Sequence, residues 1–256
     1  MNILAIGDVV GEIGCQFLRE RLPSLKKTEN IDLVIANGEN SADGNGITKL
    51  SAEYMFSSGV DVITLGNHTF KRKEIYDVLD NSPSIIRPAN YPENTTPGNG
   101  FTVYDLGRIQ VTVINLMGCM FMDALNDPYI VIDDILKKTD TKIKILDFHA
   151  EATAEKLAMA YYLDGKISAM FGTHTHVQTS DERIFPHGMG YITDVGMTGP
   201  YESVLGVVPE IAVRKFKEKL PVKFETADGK CRLDCIKFTI SDKTGKTLDV
   251  KRIEIV

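Results

Sequence analysis

The chain has 256 residues, 43% of them hydrophobic and 25% charged. That balance belongs to a globular protein and excludes a disordered, collagen-like or coiled-coil chain, and the length suffices for a sizeable core. A net charge of −6 argues against a protein built chiefly to grip a nucleic-acid backbone, and four cysteines are too few for a disulfide scaffold.

The opening run Met1-Asn2-Ile3-Leu4-Ala5-Ile6-Gly7-Asp8 has no basic leader. It reads as a strand over Asn2–Gly7 rather than as a signal peptide. A helix around Cys15–Leu22 follows, then a strand Asp32–Asn37, a helix Lys49–Ser58, a strand Val60–Leu65 and a helix near Lys73–Leu79. Strand, helix and strand repeated in this way predict parallel βαβ units with both sheet faces covered. Pro88–Gly100, rich in Pro, Asn, Thr and Gly, reads as a long loop. Phe101–Leu106 and Ile109–Leu116 then read as two strands joined by a tight turn at Gly107-Arg108. Val113–Met122 is the most apolar stretch, but Asn115 and Gly118 interrupt it and it is too short to span a bilayer. A cytoplasmic protein with no membrane partner is expected.

A helix around Tyr129–Lys138 leads to a strand Ile143–Phe148. Ala154, Leu157, Ala158 and Tyr161 recur at i, i+3, i+4 and i+7, which marks a helical face. Ile167–Phe171 is a further buried strand. Lys230–Ser241 and Thr247–Ile255 read as a terminal hairpin around Lys243-Thr244-Gly245-Lys246. No repeat or linker divides the chain, so one α/β domain over residues 1–256 is expected, with a second, partly antiparallel set of strands.

Four of the five histidines follow predicted strands. His68 comes after Val60–Leu65, His149 after Ile143–Phe148, and His174 and His176 after Ile167–Phe171; Asp8 and the pair Glu39-Asn40 follow the first two strands. Parallel strands deliver these ends to one edge, where open α/β sheets bind ligands. Singly, each residue has an ordinary explanation. Asp8 suits a helix cap, Asn67 a left-handed turn and His149 a structural hydrogen bond. His174-Thr175-His176 is harder to dismiss, because residues i and i+2 of an extended segment face one side. Together the set favours a metal site. Two divalent ions about 3.5–4 Å apart need a bridging carboxylate, with imidazoles and other oxygens completing their shells. Mixed nitrogen and oxygen donors without thiolate suit iron, manganese or zinc better than magnesium or calcium. A neighbouring histidine that is not a ligand can protonate a leaving alkoxide.

In order along the chain stand Ile6-Gly7-Asp8-Val9-Val10-Gly11, Asn37-Gly38-Glu39-Asn40, Gly66-Asn67-His68-Thr69-Phe70, Asp147-Phe148-His149-Ala150-Glu151 and Gly172-Thr173-His174-Thr175-His176. These five motifs resemble those of the calcineurin-like metallophosphoesterases, and over essentially the whole chain the YmdB-like family of phosphodiesterases. Val10 stands where the broader superfamily has a histidine, and Glu39 where it has aspartate; both departures are normal within the YmdB-like family. The resemblance implies two mixed β-sheets packed as a sandwich and flanked by helices. It implies that Asp8, Glu39, Asn40 and His176 hold a first metal. Glu39 would bridge to a second, completed by Asn67, His149 and His174, with His68 as proton donor. It further implies two iron ions, with manganese as a replacement and zinc less favoured. Hydrolysis of small phosphodiesters by metal-activated hydroxide is implied, with 2′,3′-cyclic nucleotides such as 2′,3′-cyclic AMP yielding 3′-nucleotides.

A phosphomonoesterase or nuclease using the same site, and a metal-dependent nucleotide-binding regulator, are the rival readings. No stable nucleic-acid partner is expected, and homo-oligomerisation is left open. Lys71-Arg72-Lys73 reads as a solvated face more readily than as a phosphate lure. Asp43-Gly44-Asn45-Gly46 lacks the closing Glu of a calcium loop and reads as a turn beside the site. The alternation of Cys231, Leu233 and Cys235 reads as core packing. His187 lies in a loop outside the ligand set, and the polar segment Thr193–Pro200 reads either as a pocket wall or as a simple connection.

Overall fold

The structure is a computed structural model describing residues 1–256. The first half of the chain runs β1 (Asn2–Ile6), β2 (Asp8–Val9), α1 (Gly11–Thr28), β3 (Leu33–Asn37), α2 (Lys49–Ser58), β4 (Val62–Thr64), α3 (Ile75–Asn81) and β5 (Ile85–Ile86). Next come β6 (Phe101–Asp105), β7 (Gln110–Met117), α4 (Pro128–Lys138), β8 (Ile143–His149), α5 (Thr153–Leu163), β9 (Ala169–Thr173), β10 (Arg183–Ile184) and β11 (Gly190–Ile192). The chain ends with β12 (Met197–Pro200), α6 (Pro209–Glu218), β13 (Cys231–Ile240) and β14 (Thr247–Ile255). No helix is long and apolar enough to cross a membrane.

Two sheets result. One has the order β2-β12-β13-β1-β3-β4-β5, with β14 paired to β13; the other has the order β10-β11-β9-β8-β7-β6. Both are mixed: β1, β3, β4 and β5 run parallel, as do β7, β8, β9 and β11, while β13 and the β6–β7 hairpin pair antiparallel. Successive side chains on each buried strand go to different cores, because strand side chains alternate between faces. Ile3, Ala5, Leu33 and Ile35 meet Val111, Val113, Ile143, Ile145 and Phe171 between the sheets. Leu4, Ile6, Val34 and Ala36 turn outward against Leu18, Leu22 and Met55 of α1 and α2. Ile114, Leu116, Leu146 and Phe148 pack against Ile132 and Ile135 of α4 and against Met159 and Leu163 of α5. Each fully buried Val, Leu, Ile, Phe or Met side chain among these contributes roughly 1.5–3 kcal/mol relative to exposure. The resulting sandwich, with helices on its outer faces, is the architecture the resemblance implied.

Several local expectations need correction. α1 is longer than expected, with Pro23 inside it. Proline removes one helical hydrogen bond, but the buried stripe Leu18, Leu22 and Leu25 continues past it and holds the helix. The face of α5 marked by Ala154, Leu157, Ala158 and Tyr161 is turned largely toward solvent, and the buried residues are Lys156, Met159, Ala160 and Leu163. The apolar spacing misled because the buried stripe includes a lysine. Within the segment Thr193–Pro200, residues 197–200 form a strand, β12, which pairs with β2 and β13. His187 lies away from the strand ends of interest. It binds Asp164 beyond the C-terminus of α5, at 2.8 Å, just before the N-terminal end of β11.

Candidate metal centre

The predicted site residues fall at the C-terminal ends of strands from both sheets, so the single sheet edge anticipated above is replaced by two edges facing each other. Asp8 follows β1, Glu39 and Asn40 follow β3, and Asn67 and His68 follow β4, all in the first sheet. His149 ends β8, and His174 and His176 follow β9, in the second. The convergence is also not made by an extended His-x-His segment. His174 and His176 both have positive φ, 102° and 62°, so they point into different halves of the cluster.

All seven proposed ligands and His68 are brought together. In one half, His149 Nε2 lies 2.9 Å from Asn67 Oδ1, 3.1 Å from His174 Nδ1 and 3.3 Å from Glu39 Oε1. In the other, Asn40 Nδ2 lies 3.1 Å from Glu39 Oε1, 3.3 Å from His176 Nε2 and 3.5 Å from Asp8 Oδ1. Glu39 is common to both halves. His68 stands beside them, its Nδ1 2.9 Å from Asn40 Oδ1 and 3.1 Å from Glu39 Oε1. Its backbone N–H donates to Glu39 Oε2 at 2.8 Å.

The outer partners of the three other histidines decide which ring nitrogen carries the proton. The Thr173 hydroxyl donates to Asp147 at 2.7 Å, so its oxygen accepts from His149 Nδ1 at 2.9 Å. His176 Nδ1 donates to the Leu205 carbonyl at 3.0 Å, and His174 Nε2 donates to Glu151 at 3.0 Å. In each ring the other nitrogen faces the cluster, the arrangement that outer-shell acceptors impose on metal-binding imidazoles. Asn40 fits the same role: amide oxygen and nitrogen are interchangeable by a flip, which turns Oδ1 onto the point where Asp8, Glu39 and His176 converge.

The charges fit as well. Asp8 and Glu39 are fully buried, and neither pairs with a lysine or an arginine. Buried carboxylates require a compensating positive charge. Burial pushes the Asp8 carboxyl up, partly offset by His176 and His149. Burial works the same way on Glu39, but His149 and His68 hold it well below the usual carboxylate range. For His149, burial is outweighed by Glu39, with Asp8 and Asp147 adding to it, and the pKa rises to about 9. His174 is driven down to about 3 by burial and by His149. A divalent cation would take the place of the His149 proton, so metal uptake should release protons. The donor set therefore fits divalent metal ions.

The backbone leaves little room here. A Cβ on Gly66 would overlap both His149 Nε2 and a Glu39 carboxylate oxygen. Gly66→Ala is expected to cost about 1–3 kcal/mol of stability as the core strains and to displace Glu39 or His149. The thermal midpoint and the metal bound per chain read this; unchanged metal content would show that the turn can yield.

Sequence reasoning missed the supporting polar residues. Asp147 is buried, accepts from Asn37 Nδ2 at 3.2 Å and from Thr64 and Thr173, and is pushed up to about 6 by burial. Glu151 orients His174, and Glu155 accepts from the backbone of Cys119 and Met120 beside the site. The available signal was the density of charge in His149-Ala150-Glu151-Ala152-Thr153-Ala154-Glu155-Lys156 at a strand–helix junction. Arg72, in the basic triplet, donates to the carbonyls of Asp43 and Asn45 and so clasps the nearby glycine-rich turn. A cavity of about 530 Å³ between α1 and residues 223–228 contains none of the donors.

Two mixed sheets packed face to face, with a nitrogen and oxygen donor cluster where their strand ends meet, define a calcineurin-like metallophosphoesterase fold. A family model described as "YmdB-like protein" matches residues 4–253, and the chain belongs to that family. A Bacillus subtilis (strain 168) protein named 2′,3′-cyclic-nucleotide 2′-phosphodiesterase is 47% identical over 257 residues, covering 100% of this chain and 97% of its own length. A crystal structure of a Thermus thermophilus protein superposes with a TM-score of 0.95 at 40% identity, covering 100% of this chain and 99% of that one. A Mycoplasma pneumoniae structure, described as a novel phosphatase, has a TM-score of 0.95 at 34% identity, covering 100% and 93%.

Proposed function

We propose that the protein hydrolyses small phosphodiesters, 2′,3′-cyclic nucleotides above all, to 3′-nucleotides, and that the whole chain forms one catalytic domain. The observation that carries this reading is the three imidazoles turning their inner nitrogens toward two buried carboxylates that pair with no lysine or arginine. The name of the Bacillus relative supports the substrate class.

Asp8, Glu39, Asn40 and His176 would hold one ion, and Glu39, Asn67, His149 and His174 the other; iron is favoured for this donor set, with manganese able to replace it. Bound ions of this kind supply an activated water and neutralise charge on the phosphoryl group. Glu39 keeps the two half-sites adjacent. Glu151, Thr173 and the Leu205 carbonyl hold the rings in the tautomer that leaves the inner nitrogens free. His68 Nδ1 is held by Asn40 and Glu39, while its Nε2 makes no hydrogen bond within the chain. That free nitrogen is suited to give its proton to O2′ as the P–O2′ bond breaks and the water oxygen bonds to phosphorus.

The test is to incubate iron- or manganese-loaded protein with 2′,3′-cyclic AMP and separate the products by chromatography. 3′-AMP is expected, and none should form after chelation. Inorganic phosphate released from 3′-AMP would favour the monoesterase reading, to which the description of the Mycoplasma relative points. Two bound ions with no turnover of either substrate would move the assignment to a binding role.

A further inference from the structure

We propose that the buried ion pair Lys156–Asp194 is a positioning device that holds the His174–His176 loop and the Asp8 segment in fixed relation, setting the geometry of both halves of the metal centre. The inference rests on the reading that these residues hold cations. Both partners are wholly buried, and Lys156 Nζ lies 2.8 Å from Asp194 Oδ2. The same ammonium donates to the Thr173 carbonyl at 2.9 Å, just ahead of the loop. Asp194 Oδ2 also accepts from the Thr175 N–H at 3.1 Å, between the two histidines, and Oδ1 accepts from the Gly196 N–H at 2.9 Å. The Gly196 carbonyl in turn accepts from the Asp8 N–H at 3.1 Å, and Asp8 Oδ2 accepts from the His174 N–H at 3.1 Å. The bonds close a circuit that joins α5, the end of β9, the crossing from β11 to β12 and the start of β2.

Two features show why such a circuit is needed. His174 and His176 are both left-handed without being glycine, and such conformations persist only where the surroundings over-determine them. A buried ion pair, moreover, is often no better for stability than apolar residues of the same size, so stability alone does not account for this one. The fold also leaves room for the lysine: a Cβ on Gly172 would come within 2.9 Å of Lys156 Cδ and 3.0 Å of its Cε.

The double variant Lys156→Met with Asp194→Leu tests this, since it replaces the pair by apolar side chains without leaving a lone buried charge. Mn²⁺ affinity and stoichiometry are measured by dialysis, amide exchange is followed over residues 173–176, and the thermal midpoint serves as the folding control. Mn²⁺ is expected to bind about 10–100-fold more weakly, with faster exchange at Thr175 and His176, in a chain that is still folded. Wild-type affinity and wild-type exchange in the folded variant would overturn the proposal. Should the double variant not fold, Asp194→Asn, which keeps the side-chain shape, is read by the same criteria. If the wild type itself takes up no Mn²⁺, the metal reading fails, and the exchange rates alone decide the positioning role.

Discussion

A Glu39→Gln chain is expected to keep its fold and lose its metals. Glutamine preserves the shape of a side chain that is almost wholly enclosed, but it removes the one charge shared by both half-sites. Loss of an orienting neighbour already costs a metal site about 10–100-fold in affinity; loss of the shared carboxylate should cost more, and turnover should fall to background. Metal analysis of the purified variant, beside its thermal midpoint, separates this from unfolding. In the metal-free chain the same change should lower the His149 pKa from about 9, because Glu39 is the strongest influence raising it against burial. Ring-proton resonances followed through a pH titration would read that directly. Two tightly bound ions and normal turnover in the variant would remove Glu39 from the centre of the site.

His68→Ala should behave in the opposite way, keeping both ions and losing catalysis. General acid assistance is worth roughly 10²–10⁴-fold in rate, and the loss should appear in kcat with metal content unchanged. The His68 side chain touches Asn40 and Glu39 through Nδ1 only, and its backbone N–H to Glu39 survives the change to alanine, so the substitution leaves the metal donors in place. A substrate analogue with a better leaving group, such as a nitrophenyl phosphodiester, should suffer less, since its departing oxygen needs no proton. Equal losses on both substrates would point to a role in binding rather than in proton transfer, and full activity would dismiss the residue altogether.

The site exists only because two sheets end at the same place. The first supplies carboxylates, amides and His68, the second the three other imidazoles, and the crossing from β11 to β12 ties them together through Asp194 and Gly196. Neither sheet alone presents a charge-balanced set. The first would leave Asp8 without a cationic partner and Glu39 with His68 alone, and the second would leave His149 and His174 with their inner nitrogens 3.1 Å apart.

Much of this was legible in the chain itself. Short apolar runs ending in Gly, Asn or His place β1, β3, β4, β8 and β9, because strands buried on both faces carry unbroken hydrophobic sequence. The boundaries of α2 follow from local chemistry: Thr48 and Ser51 form a capping box, and Gly59 closes the helix in a left-handed conformation. The motif residues at the strand ends were readable for the same local reason. What needed the tertiary structure were the relations between distant segments. Lys156 was hidden because a lysine does not mark an inward helical face; only its partner Asp194, 38 residues on, makes burial tolerable. β12 was unreadable because a glycine-containing four-residue segment becomes a strand only when β2 and β13 lie on either side of it. The left-handed backbone at His174 and His176, which aims the two rings at different halves of the centre, has no local cause either. Local sequence specifies conformations that short-range capping and burial can reward, whereas strained backbone and buried charge are stable only once remote groups have arrived to hold them.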